Sequence, residues 1–92
     1  MQVKVSTPQI VLDKIFEGVN SEEVVKAMQI EAATHVPFLL RHLVTGMAPL
    51  QFVHEIVRRY NDAMKTNLPS PSSCDEFIQI GVNEGFATIL EK

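Results

Sequence analysis

Hydrophobic and polar positions alternate along this chain with two competing periods. From Val11 the apolar residues Val11, Leu12, Ile15, Phe16 and Val19 fall on one side at 100° per residue, with Gln9, Asp13, Lys14 and Glu17 opposite. Thr7 before Pro8 supplies an N-cap and a first-turn proline, and Gly18 or Asn20 a stop, so a first helix is expected here. Asn20 and Glu23 have capping-box spacing. A second helix follows to about Thr34, turning Val24, Val25, Met28, Ala32 and Val36 inward until Pro37 ends it. PFLLRHLVT (37–45) reads as a short third helix closed by Gly46, with Leu39, Leu40, Leu43 and Val44 on one side. The fourth, about 49–66, starts at Pro49 and is the most amphipathic. Phe52, Val53, Ile56, Val57, Tyr60, Ala63 and Met64 face in, and Glu55–Arg59 and Arg58–Asp62 form i,i+4 pairs on the polar side.

After the loop NLPSPSS (67–73) the pattern is ambiguous. Ser73 with Glu76 begins another capping box, and Ile78, Val82, Phe86 and Ile89 follow a helical stripe. Yet FIQIGV alternates with period two, Gly81 weakens a helix, and Asn83-Glu84-Gly85 suits a hairpin loop. Met1, Val3 and Val5 alternate as well. The leading expectation is one all-α domain over residues 1–92, a compact bundle of four to five short helices. The alternative is α+β, with a C-terminal β-hairpin at about 77–90 and a short N-terminal strand.

Composition narrows the class. With 92 residues, 46% of them hydrophobic, the chain makes one thin-cored globular domain. No apolar run approaches the ~18 residues of a membrane span, and MQVKVSTPQ lacks the basic start and long apolar stretch of a signal peptide. A single cysteine, Cys74, leaves no internal disulfide. These features lead us to expect a cytoplasmic protein.

Charge is unevenly placed. Residues 1–33 carry three lysines against five carboxylates, and residues 70–92 one lysine against four, net −2 and −3. Between them, residues 34–69 carry three arginines and one lysine against two carboxylates, net +2. Solvated helix faces explain such a pattern, as does complementary pairing within a protomer or between subunits.

Constellations that carry chemistry are sparse. His35 and His42 lie seven residues apart, ~10.5 Å even on one unbroken helix, and His54 lacks a ligand at i+4. Cys74 opens a predicted helix, but Asp75 and Glu76 raise its pKa. Four glycines form no phosphate loop, and GVNEG is a weak close-packing motif. We therefore expect no catalytic activity, no metal, no cofactor and no small-molecule substrate.

The surplus lies in apolar residues outside the stripes. Ile10, Ile30 and Phe38 fall off their helices' inward faces, as do Phe77 and Ile80 if the last segment is helical. Phe38 beside Arg41 has the composition of an interface hot spot. The leading functional expectation is a small protein–protein interaction module, an adaptor, inhibitor or assembly subunit. It would bind a partner or form a homo-oligomer through Ile10, Ile30, Phe38 and Arg41.

The alternative is a helix-turn-helix DNA-binding regulator. IEAATHVPFLLRHLVTG has that motif's outline, with Arg41, His42 and Thr45 placed to read bases and Arg58, Arg59 and Lys65 to contact phosphates. His35 stands where the turn usually has glycine, and a surplus of +2 is small for counterion release.

Overall fold

The computed structural model describes residues 1–7 and 12–91. The order is β1 (Gln2–Thr7), β2 (Leu12–Glu17), α1 (Ser21–Ala33), a 3-10 turn (Phe38–Leu40), α2 (Arg41–Thr45), α3 (Pro49–Met64), α4 (Cys74–Glu84) and β3 (Ala87–Glu91). The three strands form an antiparallel sheet in the order β2-β1-β3. The fold is therefore α+β, and the all-α helical bundle is overturned.

The physical reason lies at the two ends of the chain. Residues 12–17, LDKIFE, read alone follow the helical stripe of Leu12, Ile15 and Phe16 and do not alternate with period two. Val3 and Val5 settle the choice by supplying a central strand with the right period. Val3 registers against Phe16 on one side and Ile89 on the other, and all three turn toward the helices. A pleat needs partners distant in sequence, which a local stripe cannot reveal. Pro8, Gln9, Ile10 and Val11 of the expected first helix lie outside the described residues.

The alternative is right in its α+β class and its N-terminal strand, but its C-terminal hairpin at about 77–90 is corrected. Residues 74–84 are helical and only 87–91 form a strand, which pairs with β1. Asn83-Glu84-Gly85 ends a helix instead of turning a hairpin. Gly85 takes φ +87°, and the Phe86 N–H reaches back to the Gly81 carbonyl at 2.9 Å, a left-handed cap that lets the chain reverse into β3. Gly81 is buried here because a Cβ would lie 2.7 Å from the Phe86 ring and 2.9 Å from the Ala87 Cβ. A glycine, though costly within a helix, is what that close approach requires.

One face of the sheet packs against α1 and α4, and α3 packs on both helices. Val3, Val5, Phe16, Val24, Val25, Phe52, Val53, Val57, Phe77, Ile78 and Ala87 make one core. The other sheet face is open, with Ile15 opposite Lys4 and a Lys4–Asp13 ion pair of 3.6 Å. Both sheet edges are blunted: β2 carries Asp13, Lys14 and Glu17, and β3 is short and bulged opposite Gln2–Val3. Among the described residues no helix is long and apolar enough to cross a membrane.

Both predicted boxes form their N-cap half, while Glu23 accepts from the Val19 amide and Glu76 from the Ser72 hydroxyl. The Glu23 amide donates to Asn20 Oδ1 at 3.0 Å, and the Glu76 amide to Ser73 Oγ at 3.1 Å. The loop after α3 is clasped by side chains of that helix. Asn61 bonds the Leu68 carbonyl and amide at 3.0 and 2.9 Å, and His54 Nε2 donates to the Pro71 carbonyl at 2.6 Å. His54, which lacks a ligand at i+4, thus clasps the loop while staying exposed.

Candidate functional site

The segment between α1 and α3 is the part of the chain the core does not absorb. Pro37 forbids α1 from continuing, so the chain restarts as a 3-10 turn and a five-residue α2 in place of the single helix expected over 37–45. A helix that short cannot hold itself in water and needs tertiary support. None of the five α2 residues is buried. Part of its support is polar: the buried Gln29 of α1 donates through Nε2 to the Val44 carbonyl at 2.6 Å and the Met47 carbonyl at 2.8 Å. These bonds supply a donor to the Met47 carbonyl just past α2 and a second one to the Val44 carbonyl, which also accepts from the Met47 N–H at 3.2 Å. They fix its position together with Val44, half-buried against the core, and leave Phe38, Leu40 and Leu43 outside it.

Those side chains stand in solvent. Phe38 is 78% exposed, Ile30 64%, Leu43 57% and Leu40 46%. The Arg41 guanidinium lies 5.9 Å from the centroid of the Phe38 ring, within cation–π range. From Ala32 to His54 the chain has no carboxylate, and Arg41 is its one Lys or Arg. Lys4, Lys14, Lys26, Arg58 and Arg59 each pair with a carboxylate. Among the described residues, Arg41 and Lys65 are the cations without such a pair. The arrangement is an apolar surface around one uncommitted guanidinium.

Of the sequence-predicted partner residues, Ile30, Phe38 and Arg41 lie in or beside this segment, and Ile10 lies outside the described residues. Phe77, counted among the surplus, is a correction: it is buried in the core, its ring 6.3 Å from that of Phe86. Leu40 and Leu43 were assigned to an inward stripe and instead join the exposed surface. The missing carboxylates over residues 32–54 were the signal that could have found them. An apolar helix bound for solvent ordinarily carries both signs of charge.

The residues of the DNA-binding alternative are scattered. Arg41, His42 and Thr45 are exposed on α2, with Thr45 Oγ1 bonded back to the Arg41 carbonyl at 3.2 Å. Arg58 and Arg59 both hold Glu55, at 2.6 and 3.0 Å, and Arg58 also meets Asp62 at 3.3 Å. The two arginines hold the Glu55 carboxyl down to about pKa 2. Lys65 ends α3 in the left-handed conformation, φ +54°.

A second feature is an open cleft of about 450 Å³ lined by Asn20, Ser21, Glu22, Pro49, Leu50, Ser73, Cys74 and Asp75. Burial, Glu22 and Asp75 all push the Cys74 thiol up, which keeps it protonated and a poor nucleophile. Asp75 is held by the Ser21 hydroxyl, and the first-turn amides of α1 and α4 are capped by Asn20 and Ser73. No group of three or more His, Cys, Asp or Glu side chains suited to a metal ion occurs among the described residues. Neither a family model, nor a curated protein, nor a solved structure matches the chain.

Proposed function

We propose that this protein is a non-catalytic interaction module that docks a protein partner on the face formed by Ile30, Phe38, Leu40, Arg41 and Leu43. One observation carries the reading: a helix too short to persist alone is held by Gln29 and the half-buried Val44 in a position that leaves Phe38, Leu40 and Leu43 uncovered. Scattered single apolar residues on a surface are ordinary. Three on one turn and one short helix, with Ile30 exposed on α1 and an aromatic beside an arginine, have the composition of binding hot spots. The DNA-binding alternative gains no support of this kind, since two of its six cationic or polar positions, Arg58 and Arg59, are held by Glu55.

The test is comparative capture from the source cell, using the wild-type chain and a Phe38→Ser, Leu43→Ser variant. The expected result is a protein bound by the wild type and lost by a variant that melts at the same temperature. Indistinguishable captured sets would refute the reading.

A further inference from the structure

We propose that the partner segment docked on this face is acidic and amphipathic, placing a carboxylate on the Arg41 guanidinium between apolar side chains that cover Phe38, Ile30 and Leu43. The inference rests on the docking reading above and adds the partner's chemistry. Its ground is charge complementarity. Arg41 has no carboxylate partner among the described residues, and the chain carries none from residue 32 to residue 54. Glu31, the nearest acid in sequence, is already engaged by Lys14 at 2.8 Å and His35 at 3.3 Å. A covered face would strip water from Arg41, and a guanidinium buried without an anion is strongly unfavourable. The occupant must therefore bring the carboxylate, and Arg's planar fork suits it.

The same accounting decides against two other occupants. A second copy related by a two-fold axis would present the same residues 32–54, which hold no carboxylate for Arg41. An anionic membrane gains only about 1 kcal/mol per basic residue near its surface, and this chain offers one fixed cation there while carrying net charge −3.

Selection from a display library of random linear peptides, run on the immobilised full chain and on Phe38→Ser and Arg41→Glu variants, tests the proposal. Peptides enriched on the wild type are expected to combine Asp or Glu with Leu, Ile or Phe. They should lose about tenfold or more in affinity on Arg41→Glu, as for a lost charge-assisted hydrogen bond. Arg41→Glu should itself enrich peptides bearing Lys or Arg. Phe38-dependent binders without carboxylates would overturn the acidic partner while leaving the docking face intact. Absence of enrichment, or enrichment indifferent to both substitutions, would overturn both. Phe38-dependent co-sedimentation with phosphatidylserine vesicles would replace the peptide with a membrane. A dimer in sedimentation equilibrium that Phe38→Ser dissolves would replace it with a second copy.

Discussion

Helices α2 and α3 share a design on paper and differ in what it accomplishes. Each follows a proline or has one in its first turn, and each sets leucine, valine or phenylalanine against arginine. In α3 the apolar stripe buries Phe52, Val53 and Val57, and both arginines close on Glu55. In α2 no residue is buried and Arg41 lies over an exposed ring. An amphipathic pattern thus says that a face will be covered, without saying by which molecule. Length separates the two: sixteen residues span the core, and five depend on what α1 provides.

The contrast breaks most sharply by placing a charge on each helix in turn. Val53→Asp buries an unpaired carboxylate in a fully enclosed site. It should remove about 4 kcal/mol or more, enough to leave the chain without a cooperative thermal transition. Leu43→Asp on α2 should leave that transition in place, within about 0.5 kcal/mol of wild type. A loss at Leu43 as large as that at Val53 would show that α2 belongs to the core.

Gln29 joins the two regions. Gln29→Ala leaves the Met47 carbonyl without its side-chain donor and the Val44 carbonyl with the Met47 N–H alone, and should destabilise by about 1–3 kcal/mol. The signature is local: amide exchange over residues 42–47 should accelerate before that of β1 or α4 does. Uniform acceleration would mean that α2 unfolds only with the whole domain.

The smallest effect is electrostatic. Glu55 has its carboxyl lowered from 4.5 to about 2, chiefly by the hydrogen bond from Arg58 and then by that from Arg59. A depressed carboxylate contributes stability above its unfolded pKa and loses it as pH falls through the folded value. The contribution should therefore be complete above about pH 5 and vanish progressively between about 4.5 and 2. Because the cluster is solvent-exposed, well under about 1 kcal/mol is expected. Glu55→Gln should flatten that part of the acid titration of thermal stability, and an unchanged profile would remove the ion pairs from the account.

Much of the helical half was legible in the sequence. Asn20 with Glu23 and Ser73 with Glu76 begin α1 and α4 where their spacing placed them, and Pro49 opens α3. These signals act within one turn, so the local sequence contains them whole. The sheet was not legible in the same way. Ile15 and Phe16 are adjacent, and which of them faces inward depends on β1 twelve residues earlier. Phe16 is buried against Val3, and Ile15 is left on the open face beside Lys4. Phe77 misled for a related reason: it lies off the stripe of a solitary helix, yet α4 is enclosed by α1, α3 and β3 and buries more than one side. At the candidate face, Ile30 and Phe38 stood out as surplus, whereas Leu40 and Leu43 were hidden by the assumption that a helical stripe meets its own core.

The most direct test of the central claim is a heteronuclear NMR spectrum of the isotope-labelled chain recorded in buffer and again in lysate of its own cell. The account predicts that lysate selectively broadens the signals of Ile30, Phe38, Leu40, Arg41 and Leu43, while those of β1, β2 and β3 stay sharp. Broadening centred on Ile15 and Lys4 of the open sheet face, or none that distinguishes α2 from the strands, would contradict it.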